Sequence, residues 1–328
     1  MPIPFLIAGG LALGAGLLGV GGHLEAKETN RKATEKAEAA KHLYSKAKNS
    51  LENSKRKTTE ALLNLEKYKR DILESSMKQF LRGYQRVKHI EIRTPENLCE
   101  LSNFSIRPQD MLQIQKLTDI YESSLKSGAA GVVTGMALAA MPGVGLLGAA
   151  AVTPLAAIAA PVILFTGISA AMKADENLEK AEVMYAEAEA AAEAMKVQET
   201  KCRAIIQKTE MYGSLLNALN RMFSECARYL DSVTRKKKGF LGLRRITEKR
   251  LSQEEMNLIA ISRSLAGAVK SVIDAPVLDS RDDFNRDSEE TYDNVSSKMI
   301  SFQDASGQVL SYDYRTKIKP AIAPPRHR

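Results

Sequence analysis

The chain has 328 residues, of which 44% are apolar, 26% charged and 5% aromatic, with no Trp. So few aromatics argue against one large globular core, and the abundance of Ala, Lys and Glu is that of long helices and coiled coils. The formal net charge of +8 is concentrated. Arg235 to Arg250 holds Arg235, Lys236, Lys237, Lys238, Arg244, Arg245, Lys249 and Arg250 against Glu248 alone, while the rest of the chain is nearly neutral.

The protein opens on an uncharged stretch, Ile3 to Leu24, that contains seven glycines. No Lys or Arg precedes it, whereas a secretory signal needs a basic leader. It reads as an uncleaved membrane anchor. The alternatives are a buried helix that shelters a second apolar segment in a soluble form, and a cleaved signal.

Glu25 to about Glu91 has no proline and only Gly83, so a first helical arm is expected. Ala37, Ala40, Tyr44, Ala47 and Leu51, then Leu73, Met77, Phe80, Tyr84 and Val87, recur at spacings of three and four and form a stripe. Thr94-Pro95 and Arg107-Pro108 break the arm, and Gln109 to Lys126 reads as a short amphipathic helix.

Ser127 to Met172 follows, forty-six residues without a charged side chain and with seven more glycines. About 20 apolar residues cross a bilayer once, and Met141-Pro142-Gly143, Pro154 and Pro161 interrupt a single rod. A hairpin of two apolar helices is expected, with Gly128–Met141 and Pro154–Met172 as its surest pieces. Glycine costs a water-exposed helix about 1 kcal/mol against alanine, so its enrichment needs a compensating role. Small residues four apart let helix backbones approach closely in lipid. Gly10/Gly14 and Gly131/Gly135 have that spacing, and Gly143 and Gly145 form such pairs with Ala139 and Ala149. These six glycines are the expected packing positions. The alternative is a buried, alanine-rich hairpin at the centre of a soluble bundle.

Lys173 to Val233 reads as a returning arm. Leu178, Ala181, Tyr185, Ala188, Ala192 and Met195 suggest a coiled-coil seam. Tyr212, Leu216, Leu219, Phe223, Cys226, Leu230 and Val233 continue it, with a stammer at Ile206, Thr209 and Tyr212. The two arms are expected to pack antiparallel around the apolar tip. Lys and Arg beyond the apolar segments (Lys27, Arg31, Lys32; Lys126, Lys173, Lys180) place the bulk of the chain on the cytoplasmic side of a membrane.

Arg235, Lys236, Lys237, Lys238, Arg244 and Arg245 flank the apolar Phe240, Leu241 and Leu243, a pattern suited to an anionic lipid surface at about 1 kcal/mol per base. Nucleic acid attracts the same charges, but no recognition helix or stacking platform lies nearby, and a solvated loop is the remaining alternative. Ser252-Gln-Glu-Glu255 is a capping box opening a helix to about Ile273, with Leu258, Ile261, Leu265, Val269 and Val272 as its stripe. Asp279 to Asp293 is acidic and expected to be mobile. Met299–Gln303 and Gln308–Tyr312, about Asp304-Ala-Ser-Gly307, read as a β-hairpin before a flexible tail.

The chain contains no GxxxxGK[ST], HExxH or GxSxG motif. His23, His42, His89 and His327 have no partner at ligand spacing, and Ser75–Lys78 and Ser123–Lys126 match S-x-x-K only as Ser/Lys-rich helices often do. Cys99, Cys202 and Cys226 lack metal-site spacing and read as reduced thiols. No enzyme activity, cofactor or metal is expected.

The fold class is therefore all-α: long antiparallel coiled-coil arms joined through a Gly/Ala-rich hairpin, with an N-terminal apolar helix and a small C-terminal β-hairpin. The expected segments are 1–24 apolar, 25–126 first arm, 127–172 hairpin, 173–234 returning arm, 235–273 basic patch and helix, and 274–328 tail. The layout over roughly Glu25 to Val233 resembles α-helical pore-forming toxins. The texture of Gly128–Met172 is similar to the apolar region of apolipoprotein-L-type proteins and to bacterial proteins with glycine-zipper segments. The likeness is one of architecture and composition. It implies a hairpin that inserts into a bilayer and a homo-oligomer that permeabilises or remodels it. The alternative is a constitutive membrane-anchored coiled-coil scaffold that holds protein partners through its arms or tail.

Overall fold

The computed structural model describes residues 23–90, 99–107, 110–111, 174–238, 246–278 and 286–318. Among these the protein is all-α, and no strand forms. The helices are α1 (His23–Ile72), a π-turn (Leu73–Met77), α2 (Lys78–Tyr84), α3 (Cys99–Ser102) and α4 (Ala174–Lys238), then α5 (Gln253–Asp274), α6 (Arg286–Ser297) and α7 (Met299–Ile318). The chain divides into two compact units, Met1–Glu60 with Leu155–Ile206, and Ala61–Pro154 with Gln207–Arg328.

In the first unit α1 contributes Ala33, Ala37, Ala40, Tyr44, Ala47, Leu51 and Thr58 to the buried and half-buried face. In α4 the matching positions are Asn177, Ala181, Met184, Ala188, Ala191, Met195, Cys202 and Ile205. Both sets follow a seven-residue repeat, as a helix–helix seam requires. Ala181, Ala188 and Met195 lie where the sequence places them. Leu178, Tyr185 and Ala192 are only half-buried, and their seam positions belong to Asn177, Met184 and Ala191. Ile205, not Ile206, takes the next position, so the steps to Thr209 and Tyr212 are four and three and no stammer forms.

The direction of packing overturns the expected antiparallel arms. Asn177 Nδ2 donates to Asn30 Oδ1 at 3.0 Å, Lys36 Nζ to Glu182 Oε1 at 2.6 Å, and Thr58 Oγ1 to the Cys202 carbonyl at 3.4 Å. The two helices advance together at a nearly constant offset of 147, 146 and 144 residues, so they are parallel. In the second unit Tyr68 of α1, Ser76 of the π-turn and Arg86 just beyond α2 pair with Asn217, Asn220 and Asp231 of α4, again advancing together. Apolar stripes specify that two helices pack but not which way they run. A long connection leaves direction free, and it is fixed here by the pairs between α1 and α4.

The second unit holds the larger apolar core. Ser252 caps α5 with the expected box: Glu255 N donates to Ser252 Oγ, and Ser252 N to Glu255 Oε2. Leu258, Ile261, Leu265, Val269 and Val272 are all fully buried. By length and composition α5 is long and apolar enough to cross a membrane, and 67% of its apolar window is buried inside the unit. It packs against α2, α3, α6 and α7 as the core helix. The π-turn adds a residue to one helical turn, so Ile72 and Leu73 are both buried and the stripe resumes through Met77 and Phe80, one residue out of phase.

Two C-terminal expectations are corrected. Residues 299–303 and 308–312 do not form a β-hairpin; they belong to the single helix α7. Phe302, Ala305 and Val309 step by three and four and are buried, so the helical period prevails, and Gly307 lies on the exposed side. Part of the acidic stretch expected to be mobile is α6, held by buried Ser288 and Val295, a Tyr212–Tyr292 ring contact at 5.3 Å and a Lys208–Glu289 ion pair.

Candidate functional site

Three features bear on function, and each lies within one unit. The first is the start of the parallel pair. Asn177 is fully buried and bonded to Asn30. His23 precedes Asn30 by seven residues and Ala174 precedes Asn177 by three, roughly 10 and 5 Å of helix. Both helices therefore emerge at one end of the first unit, and each follows directly on one of the two glycine-rich uncharged segments. Gly10, Gly14, Gly131, Gly135, Gly143 and Gly145, together with the apolar hairpin, lie outside the described residues.

The second feature is the basic patch. Arg235 and Lys236 are exposed on the last turn of α4, where bases complement the helix dipole. Lys237 turns inward: its Nζ donates to the Arg250 carbonyl at 2.6 Å and pairs with Glu255 Oε2 at 2.9 Å. It thereby ties the end of α4 to the capping box of α5. Lys238 closes α4, and Phe240, Leu241, Arg244 and Arg245 lie outside the described residues. Arg235 and Lys236, with Lys249 and Arg250 further along, have described, exposed side chains without such a tether.

The third feature was not foreseen. A cavity of about 430 Å³ in the second unit is lined by Asn103, Arg107, Asp110, Lys270, Asp274 and Asn294, among others. In its wall α5 meets the 103–106 segment at Gly267, where a Cβ would lie 1.6 Å from the Phe104 carbonyl oxygen. Ile106 N donates to the Arg263 carbonyl at 3.2 Å across the same contact. Lys270 pairs with Asp274 one turn on, and Arg107 Nε donates to Asp110 at 2.9 Å. Burial pushes the Asp274 carboxyl up, and Lys270 and Lys69 offset only part of that rise. Burial also raises Asp110, but the Arg107 hydrogen bond and the charges of Lys270 and Arg107 bring it below its ordinary value. The four charges cancel, and the pairs leave hydrogen-bonding capacity of both senses facing the cavity.

Behind it, Lys69 is 2% exposed, bonds the Ala275 carbonyl at 3.2 Å and pairs with Glu66 at 3.0 Å, capping the C-terminus of α5. The sequence offered little sign of these groups. Lys270 and Asp274 look like an ordinary i,i+4 surface pair, and Lys69 is one of many lysines in an arm dense with charge. The only clue is that Lys270 and Asp274 interrupt the most apolar helix of the second unit.

Cys202 and Cys226 are buried free thiols with raised pKa values, that of Cys226 pushed up to about 12 by burial; Cys99 is exposed. Among the described residues no cluster of three or more His, Cys, Asp or Glu is placed to hold a metal ion. No family model, curated protein or solved structure matches this chain.

Proposed function

We propose that this protein inserts into a membrane through its two glycine-rich segments and oligomerises there to permeabilise or remodel the bilayer. The observation that carries the reading is the parallel register of α1 and α4, locked at Asn30 and Asn177. It starts α1 and α4 at one end of the first unit, which allows the uncharged segments that precede them in the sequence to enter the same bilayer together. Uncharged runs of this length are compatible with lipid. Their spaced glycines permit the close helix contacts that stabilise bundles where no hydrophobic effect drives helices together. Arg235 and Lys236 supply bases for an anionic surface, and the cytoplasmic side remains the reading of the Lys/Arg distribution.

Release of an encapsulated dye from anionic vesicles tests permeabilisation; the expected result is leakage that rises with protein concentration. Intact vesicles at every lipid composition and pH would overturn it. One observation favours a second reading, a membrane-anchored coiled-coil scaffold. The second unit builds its own core and a polar cavity, neither of which permeabilisation requires. That reading expects carbonate-resistant membrane attachment without leakage.

A further inference from the structure

The first unit is thin. Its seam is dominated by alanine, and a buried methyl stabilises far less than a buried Leu or Phe at about 1.5–3 kcal/mol. Yet α4 leaves apolar surface unused on its outer side. Val183 is 53% and Val197 65% exposed, and exposed Ala186, Ala190 and Ala194 fill the interval between them. Steps of three and four place all five along one outward stripe of the helix.

Charge identifies what covers it. From Ala174 to Thr200, α4 carries eight acids against Lys180 and Lys196, whereas His23 to Glu60 in α1 carries ten Lys or Arg against six acids. Glu187, Glu189 and Glu193 beside the stripe are exposed, as are Lys41, Lys46 and Lys48 on α1. None of these six is ion-paired within the described residues. The offsets that pair Lys36 with Glu182 and Asn30 with Asn177, 146 and 147 residues, also separate Lys41 from Glu187 and Lys46 from Glu193. The bases of α1 and the acids of α4 therefore stand at the same height along the pair.

We infer that the stripe is covered by a second copy of this chain, set alongside in the same direction, so that α4 of one copy packs against α1 of the next. A sideways shift without change of height brings Lys41, Lys46 and Lys48 of one copy level with Glu187, Glu189 and Glu193 of its neighbour, while Val183, Ala190 and Val197 lose water. The contact joins two different faces, so it repeats and closes into a ring or continues as an array. It rests on the membrane reading in one respect: copies inserted in one bilayer share a direction.

Two reversed full-length chains test the contact in detergent by sedimentation velocity: Glu187→Lys with Glu189→Lys and Glu193→Lys, and Lys41→Glu with Lys46→Glu and Lys48→Glu. Wild type is expected to assemble at low salt and to dissociate as salt approaches about 1 M, where the screening length is roughly 3 Å. Each reversed chain alone is expected to be monomeric, with the helicity of wild type by circular dichroism. An equimolar mixture is expected to assemble again, because each reversed face then meets its complement. A monomeric wild type, a reversed chain that assembles unaided, or a mixture that stays monomeric would each overturn the contact. Vesicle flotation of the same chains reads insertion separately. A wild type that floats but stays monomeric shows a failure of the contact alone, and a wild type that assembles without floating shows a failure of the membrane reading alone.

Discussion

Gly267→Ala probes the joint between α5 and the 103–106 segment in the wall of the cavity. The added Cβ would lie 1.6 Å from the Phe104 carbonyl oxygen, 2.8 Å from its carbon and 3.0 Å from Ile106 N. All three are backbone atoms, so no side-chain rotation relieves the clash, and the 104–106 segment must retreat from α5. That retreat breaks the Ile106 N to Arg263 carbonyl bond and strains the Phe104–Phe302 ring contact at 5.5 Å. Overpacking costs about 1–3 kcal/mol and a stranded buried backbone group about 1–3 kcal/mol. The helix propensity of alanine returns about 1 kcal/mol. A net loss of about 1–5 kcal/mol follows, centred near 3, or roughly 10 °C in melting temperature for a unit of this size. Thermal and urea unfolding followed by circular dichroism measure it. Three further glycines calibrate the scale: Gly83 meets the Asp231 backbone at 3.0 Å, Gly213 meets Leu65 at 3.9 Å, and Gly307 meets nothing within 4 Å. Alanine at Gly83 is expected to cost less than at Gly267. At Gly213 and Gly307 it is expected to be neutral or stabilising. A Gly267→Ala protein as stable as wild type would refute the reasoning.

Lys69→Met should destabilise the second unit by about 3–5 kcal/mol in urea unfolding, because Glu66 and the C-terminus of α5 lose a buried cation. Burial, aided by Asp293, pushes the Tyr212 phenol up to about 12 from 10. Between those values the folded state keeps a proton that the unfolded chain releases, so stability falls as pH rises from 10 to 12. Tyr212→Phe should flatten that part of the stability profile. Asn177→Leu should raise the melting temperature of the first unit while loosening its register, read as slower disulfide formation between cysteines placed at Lys36 and Glu182. Gly135→Leu should abolish vesicle leakage without reducing flotation.

What was legible in the sequence was what depends on local pattern. The capping box at Ser252 and the stripe from Leu258 to Val272 appear as read, because a cap and a periodic face need only neighbours within a few turns. The second half of the α4 stripe was readable for the same reason. Its alanine-rich first half was misread by one position at Tyr185 and Ala192, since alanine occupies seam and surface alike and the seam residue Asn177 is polar. The parallel direction was hidden because it is set by long-range pairs such as Asn30–Asn177. The helix over 299–318 was hidden because Ser, Gly and Asp at 304–307 resemble a turn. The cavity was least visible: it is walled where α5 meets a distant segment at Gly267 and lined by buried charges that look like surface charges in a linear reading.

Insertion itself is most directly measured with a fluorophore attached at Leu13→Cys or Val133→Cys in a Cys99→Ser background, the native Cys202 and Cys226 being buried. The labelled chain is mixed with vesicles and challenged in parallel with a lipid-chain quencher and an aqueous quencher. Quenching of both positions by the lipid-borne probe, with protection from the aqueous one, is the expected result. Both positions remaining open to the aqueous quencher, or dark to neither probe in the presence of vesicles, would contradict insertion.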